Sequence, residues 1–259
     1  MKKENSKLKA KVRLIDVQSG FGGAEPGVVS VVSAEELIDE LRRIDIDKAL
    51  VRITPEQLDS DVVLSNEKLY NSARKYKQLI PCPVVVPATA YDLPSEYDQI
   101  RQAIDNGAGA VIIRPQMDGW CLEPWCAGRL FKVLERFRMP VFCMERLISL
   151  SEIARLAGEY LELPFIIAEM NYRSMRSYLP LYENFKNIYL STGNNNTMFN
   201  GLELFIKKGG VDRLLFGTGF PVTETMTAVT QLMYAEISID DKKKIGADNF
   251  EKLMGNIQR

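Results

Sequence analysis

Acidic side chains stand directly after several apolar, β-branched runs of the sequence. Asp16, Glu145 and Glu169 are three that the pattern places at the ends of predicted strands. Three converging carboxylates are able to hold a hard cation such as Mg²⁺, Ca²⁺ or Mn²⁺, because these ions accept oxygen ligands in place of imidazole. A carboxyl group whose pKa is raised by an apolar pocket also serves as a general acid or base, and Glu169 is the first candidate for that role. We therefore take Glu169, Asp16 and Glu145 as candidate catalytic residues.

Histidine is absent from all 259 residues. This excludes every mechanism based on imidazole and removes the commonest protein ligand for transition metals. We predict that the protein holds no metal and no organic cofactor.

A second group of polar residues at the same predicted strand ends points to ligand binding. The guanidinium fork of Arg114 matches a planar carboxylate, and Gln116 and Asn171 are placed to assist it. The remaining candidate ligand-binding residues are Gln18, Arg173, Thr218 and Gly219. The set predicts a small polar or anionic molecule as the binding partner.

The alternative is that these charged residues only neutralise one another, because buried charges of opposite sign must pair or be hydrated. The available cations are Arg52, Arg114, Arg146 and Arg173. On this interpretation, which we favour over a metal site, Arg114 pairs with Glu145.

The run 141–145 contains two further residues whose orientation matters. Side chains alternate across a strand, so either Met144 or Glu145 faces the interior, and we favour Glu145. Cys143 lies in the middle of the run and is interpreted as a buried thiol rather than a nucleophile. Cys121 and Cys126 are too isolated to form a four-ligand zinc site.

Apolar runs alternate with amphipathic segments along the whole chain, which is typical of repeated βα units. The predicted strands are 12–18, 48–53, 79–86, 110–114, 141–145, 165–169, 187–192 and 213–218. The predicted helices are 33–44, 61–76, 95–106, 123–137, 149–160, 174–185, 198–208, 223–235 and 239–254. Ser33 and Glu36 form a capping box at the first of these helices.

Eight strand and helix pairs in about 250 residues predict a (β/α)8 TIM barrel of the α/β class, whose site lies at the carboxyl ends of the strands. An open doubly wound sheet is disfavoured, because the glycines at 20–27 do not form a phosphate-binding turn. We expect residues 1–11 to be a flexible tail and residues 12–259 to be one domain.

The charge balance favours small-molecule or protein partners. Thirty-three basic and 34 acidic residues give a net charge of -1, so we expect no binding to nucleic acid or to a membrane surface. The sequence has no apolar run long enough for a signal peptide or a membrane span, and its four cysteines do not form a disulfide scaffold. We expect a cytoplasmic protein.

Several segments resemble those of a known family. They occur in the same order and at the corresponding strand ends. They read LIDVQSGFG, AGAVIIRPQ, MPVFCME, LPFIIAEMN, NIYLSTG, DRLLFGTGFP and IGADNFEKLMG. Together they resemble the amidohydrolase superfamily, in the branch of the decarboxylases of aminocarboxymuconate semialdehyde type. The resemblance extends from about residue 14 to residue 255. It implies a metal-dependent-hydrolase-like barrel and makes a homodimer plausible.

The resemblance also implies a divalent metal held by Asp-x-His-x-His and later histidines, with an aspartate after the eighth strand. Here Gln18 and Gly20 stand in the two histidine positions of the first strand, and Gly219 replaces the aspartate. The fifth-strand histidine falls on Met144 or Glu145, and the sixth-strand histidine falls on Glu169.

We therefore expect a barrel that has lost its metal ligands, binds a small polar or anionic molecule at its mouth and lacks the metal-dependent hydrolysis. The alternatives are a hydrolase or lyase that works without metal or with a cation held by carboxylates, and a non-enzymatic interaction subunit.

Overall fold

A computed structural model describes residues 12–22, 32–54, 61–168, 170–193 and 200–259. The strands of this part are β1 (Ile15–Phe21), β2 (Lys48–Ile53), β3 (Leu79–Pro81), β4 (Val111–Ile112), β5 (Val141–Met144), β6 (Phe165–Ala168), β7 (Ile188–Ser191) and β8 (Leu214–Leu215). The α-helices are α1 (Ala34–Arg43), α2 (Val62–Lys75), α3 (Glu96–Asp105), α4 (Pro124–Phe137), α5 (Leu150–Glu159), α6 (Met175–Asn184), α7 (Gly201–Gly209), α8 (Thr225–Tyr234), α9 (Ile239–Lys243) and α10 (Asn249–Gly255).

The strands form a closed ring in sequence order. Parallel ladders join β1 to β2 and β3, and join β4 through to β8. Between β3 and β4, the Ile112 N–H donates to the Pro83 carbonyl at 2.9 Å. Between β8 and β1, the Val17 N–H donates to the Phe216 carbonyl, also at 2.9 Å. The predicted (β/α)8 barrel is confirmed.

Several strands differ in their bounds from the predictions, and β1 and β3 differ most. β1 begins and ends three residues later than predicted, because its pairing with β2 continues to Phe21. Gln18 therefore lies within the strand rather than at its end. The predicted strand 79–86 is regular only to Pro81, because Pro81 and Pro83 have no N–H to donate to the ladder.

The helices begin where their capping residues predict. The capping box of Ser33 and Glu36 is present, and Ser149 and Glu152 form a second one at α5. Asp61 accepts the N–H groups of Val63 and Leu64 at the start of α2.

The last predicted helix, 239–254, is interrupted. A π-helical turn over Lys244–Asp248 separates α9 from α10. In this turn the Ile245 carbonyl accepts the Phe216 N–H at 2.9 Å, which fastens the C-terminal segment to the chain after β8.

A bilayer span needs a longer and more apolar helix than any in the described part of the chain.

Candidate active site at the barrel mouth

Asp16 lies at the junction of β1 and β8, and it is completely buried. One carboxylate oxygen accepts the backbone N–H groups of Gln18 and Thr218, at 2.8 and 2.9 Å. The other oxygen accepts the hydroxyl groups of Ser19 and Thr218. An ionised carboxylate offers about four acceptor sites, so these four donors use its whole capacity. Asp16 therefore ties the first strand to the last.

Gln18 and Ser191 meet across the interior of the barrel. The Ser191 hydroxyl donates to Gln18 Oε1 at 3.0 Å, although β8 separates their two strands. Gly217 lies between them, and a Cβ at this position would lie 2.1 Å from Ser191 Oγ. The absence of a side chain at residue 217 thus permits this hydrogen bond.

Arg52 brings a permanent positive charge into the mouth, which we define as the region at the carboxyl ends of the strands. Only 3% of the residue is exposed. Its guanidinium donates to the Ser19 carbonyl at 3.1 Å and lies 5.6 Å from the centre of the Phe142 ring. Because β2 and β5 are not neighbours in the ring, the contact with Phe142 crosses the barrel interior.

The two glycines that replace metal-site positions in the resemblance are closely surrounded. A Cβ on Gly20 would lie 2.4 Å from Thr54 Cγ2, and a Cβ on Gly219 would lie 2.4 Å from Thr223 Oγ1. Gly219 also has a φ of 80°, in the region that favours glycine. Its N–H donates to the Gln18 carbonyl at 3.1 Å. Side chains that replace these glycines require the neighbouring atoms to move.

Thr54 is buried immediately after β2, next to Gly20. Its Oγ1 has no hydrogen-bond partner in the part of the chain that the structure describes. A buried hydroxyl without a partner is rare and costly, so it marks a position where a polar ligand atom would be stabilised.

Arg114 is held by a carboxylate that the sequence analysis did not consider. Its Nε and Nη2 donate to the two oxygens of Asp118, at 3.1 and 2.7 Å, and both side chains are buried. The predicted partner, Glu145, instead accepts a hydrogen bond from Tyr178, so the predicted Arg114–Glu145 pairing is not found between these groups. Gln116, in the same turn, is exposed.

A cavity of about 420 Å³ opens beside this turn. It lies between the start of α2 and the segments that follow β3 and β4. Its lining residues are Asp61, Val62, Val63, Val86, Asp92, Leu93 and Asp118. Two of its carboxylates are already bound, since Asp61 caps α2 and Asp118 pairs with Arg114. We call this space the acidic basin.

Glu145 faces the helices rather than the interior, which corrects the orientation favoured from the sequence. Its Oε2 accepts the hydroxyl of Tyr178, a buried residue of α6, at 2.5 Å. Phe142 points inward to Arg52, so alternation along β5 places Met144 on the inward side as well. This hydrogen bond joins the Glu145 carboxylate to α6.

The residues predicted after β6 are only partly described. Glu169 lies outside the described residues. The half-buried Asn171 accepts the Arg173 N–H at 2.9 Å and so caps a short 3-10 turn. Arg173 is exposed and donates to the Tyr172 hydroxyl. The four donors to Asp16 in the described part of the chain come from other residues, so neither side chain bonds to it.

Cys143 is fully buried in β5, and burial raises the pKa of its thiol. Its Sγ lies 3.7 Å from the Val141 carbonyl. These features fit the interpretation as a buried thiol. Cys121 and Cys126 are half-buried free cysteines.

Several residues of the mouth are not among the candidates that the sequence predicted. Ser19 and Ser191 gave no signal beyond their places in predicted strands. Asp118 follows Arg114 by four residues, and this spacing of opposite charges was the one available hint. Thr54 could not be identified, because only the folded chain shows which hydroxyl has no partner.

A family model described as amidohydrolase matches residues 60–255 of this chain. A search of curated proteins returns no match.

Solved structures share the fold over nearly the whole chain. A 5-carboxyvanillate decarboxylase from Sphingomonas paucimobilis has a TM-score of 0.75 at 11% identity, covering 94% of this chain and 99% of its own. An uncharacterised TIM-barrel protein from Bordetella bronchiseptica has a TM-score of 0.73 at 18% identity, covering 95% and 99%.

A third structure contains a metal and an organic acid. It is a 5-carboxyvanillate decarboxylase from Novosphingobium aromaticivorans complexed with manganese and 4-hydroxy-3-methoxy-5-nitrobenzoic acid. Its TM-score is 0.74 at 15% identity, covering 94% of this chain and 96% of its own. At these identities the likeness establishes the fold alone.

Proposed function

Since this chain belongs to the amidohydrolase family, we propose that it binds a small anionic molecule at the mouth of its barrel without metal-dependent chemistry. The ligand class that fits best is an aromatic carboxylate, as in the Novosphingobium complex. In this function, a positively charged side chain of the protein takes the place of a metal ion in holding the ligand.

The position of Arg52 is the observation that carries the proposal. A guanidinium is charged at every physiological pH, and this one is buried between the Ser19 carbonyl and the Phe142 ring. A divalent ion in the same mouth would be repelled by it, whereas a carboxylate would be attracted. Thr54 Oγ1, which has no partner among the described residues, adds a neutral donor close by.

The donor set of the mouth does not fit a divalent metal. All four acceptor sites of Asp16 are occupied by donors from the protein, and Gln18 Oε1 accepts a hydrogen bond from the Ser191 hydroxyl. Gly20 and Gly219 offer no side-chain ligand, and the thioether of Met144 is a poor ligand for Mg²⁺ or Mn²⁺. Within the described residues, no three His, Cys, Asp or Glu side chains are grouped to hold a metal.

The alternative of a cation held by carboxylates requires Asp16, Glu145 and Glu169 to converge. Tyr178 holds Glu145 on the helix side, and the β8–β1 junction occupies Asp16. An interaction subunit is the remaining alternative. It predicts a stable complex with another protein and no specific binding of aromatic carboxylates.

Metal dependence is tested on purified protein by elemental analysis and by thermal unfolding with and without a chelator. We expect substoichiometric Mn, Mg and Zn and no change in Tm, because nothing that binds the folded state is removed. Stoichiometric metal whose removal lowers the Tm would contradict the proposal.

Binding is tested by calorimetric titration with 4-hydroxy-3-methoxy-5-nitrobenzoate. Arg52→Met removes the charge but keeps much of the side-chain volume, and we expect at least about tenfold weaker binding. Arg129→Met is the matched control, because Arg129 is a largely exposed residue of α4. Equal affinity of the wild type and Arg52→Met, with the fold retained, would refute the assigned site.

Turnover separates binding from catalysis. The protein is incubated with 5-carboxyvanillate, with and without added Mn²⁺, and release of CO₂ is measured. We expect none in either case. Mn²⁺-dependent release would establish the decarboxylase alternative.

A further inference from the structure

A second cavity lies outside the barrel, between α2, α3 and the chain that follows β3. Its volume is about 120 Å³. Val62, Val63, Val84, Leu93 and Pro94 contribute apolar wall. An apolar core cavity of roughly 150 Å³ is large enough to bind benzene, so this space is of the size of a single ring. We call it the side cavity.

Two amide side chains of the side cavity are already bound to backbone. Asn66 donates to the Val84 carbonyl at 2.8 Å and accepts the Val84 N–H at 2.9 Å. Gln99 accepts the Val86 N–H and donates to the Val86 and Pro94 carbonyls. These bonds hold the cavity walls in position, and they leave both amide groups largely satisfied.

Tyr70 adds a hydroxyl group to this wall. Only 4% of the residue is exposed, and it lies among the lining residues of the cavity. Burial raises its pKa, so the hydroxyl is protonated at neutral pH and can donate. An oxygen atom of a ligand that enters the cavity can accept this hydrogen bond.

The charges around the side cavity select against anions. Among the described residues, its lining includes Glu67 and no Lys or Arg. It shares Val62, Val63 and Leu93 with the acidic basin, so the two spaces adjoin, and the described lining of the basin also holds no Lys or Arg, although Asp118 there is paired with Arg114. An anion would be repelled by Glu67, whereas a neutral molecule would not.

We propose that the side cavity binds a neutral, ring-sized organic molecule whose oxygen atom accepts a hydrogen bond from Tyr70. The apolar walls bury the ring, and the hydroxyl fixes its orientation. This site differs from the mouth in both location and ligand charge, and it does not depend on the function proposed for the mouth.

Cyclohexanone is a suitable probe, because it is a neutral ring with one carbonyl acceptor. We titrate it into the full-length protein and follow backbone amide chemical shifts by NMR. We expect saturable shifts at Asn66, Tyr70 and Val84. Cyclohexanecarboxylate, which has the same ring and a negative charge, should bind at least about tenfold more weakly.

Three variants test the assignment. Tyr70→Phe removes only the hydroxyl and should weaken cyclohexanone binding about two- to tenfold. Val63→Trp places a large ring at a half-exposed lining position and should abolish binding by filling the cavity. Tyr97→Phe, on α3 but outside the lining, is the matched control and should bind as the wild type does.

The proposal is overturned if cyclohexanone shifts residues elsewhere, or if the carboxylate binds equally well. It is also overturned if Tyr70→Phe and Val63→Trp both remain folded and bind like the wild type. Titration of these variants with the nitrobenzoate probe should give unchanged binding, which distinguishes failure at this site from failure at the mouth.

Discussion

The β8–β1 junction and the side cavity differ in how their buried polar groups are hydrogen-bonded. At the junction, the carboxylate of Asp16 receives four donors from the protein itself. In the side cavity, the largely buried Tyr70 places its hydroxyl group in a cavity wall. A carboxylate whose acceptor sites are all used contributes to the stability of the fold, whereas a donor in a cavity wall can bond to a ligand. Burial alone therefore does not identify a functional residue.

The strongest way to test this contrast is Asp16→Ala. The change leaves two backbone N–H groups and two hydroxyls buried without their acceptor, so we expect a loss of more than about 3 kcal/mol of unfolding free energy. Urea denaturation measures it. Asp39→Ala, at an exposed position of α1, is the control and should change stability by less than about 0.5 kcal/mol. A small effect of Asp16→Ala would show that the junction is not stabilised through this carboxylate.

Gly217→Ala tests how closely the junction is packed. The added Cβ would meet Ser191 Oγ, so we expect a loss of about 1–3 kcal/mol. Gly128→Ala is the matched comparison in α4, where the nearest atom is Pro124 Cβ at 3.8 Å. Because alanine is the better helix former, that variant should gain about 0.5–1 kcal/mol. Equal effects of the two variants in denaturant melts would contradict the packing argument.

Two tyrosine substitutions compare a hydroxyl bonded to a carboxylate with one that lines a cavity. Tyr178→Phe removes the donor to Glu145, so we expect a loss of about 1 kcal/mol. Tyr70→Phe removes a hydroxyl from the wall of the side cavity, and stability should stay equal or rise by up to about 1 kcal/mol. Thermal unfolding without ligand distinguishes them. A clear loss for Tyr70→Phe would mean that its hydroxyl is already satisfied in the free protein.

The smallest expected effect is the pH dependence contributed by Cys143. Burial raises the pKa of the folded thiol, so the unfolded state releases its proton first as the pH rises past about 8.5. The thiol is neutral in both states at lower pH and contributes no dependence there. Above that point the folded state should lose stability, by less than about 1 kcal/mol at pH 9.

Cys143→Ala supplies the reference for this measurement. The difference in unfolding free energy between the wild type and the variant should be constant from pH 6 to pH 8 and shrink as the pH rises to 9. A difference that stays constant throughout would show that the folded thiol ionises as readily as the unfolded one.

Local sequence patterns predicted the elements well and the site only in part. The capping box at Ser33 was visible because its two partners are three residues apart. β3 is shorter than the apolar run 79–86 predicts, because Pro81 and Pro83 have no N–H to donate to the ladder. The orientation of Glu145 was predicted wrongly, because an apolar Met144 fits equally well against the helices or inside the barrel. The deciding contact comes from Tyr178, which lies 33 residues further on.

By itself, the sequence determined the repeated βα units and excluded imidazole chemistry, because periodicity and composition are local properties. Only the tertiary structure decided which polar groups have partners. Asp16 meets Thr218 across 202 residues and Gln18 meets Ser191 across 173, through the closure of the ring. The same folding placed Tyr70 in the wall of the side cavity, beside the amide groups of Asn66 and Gln99 that are bonded to backbone.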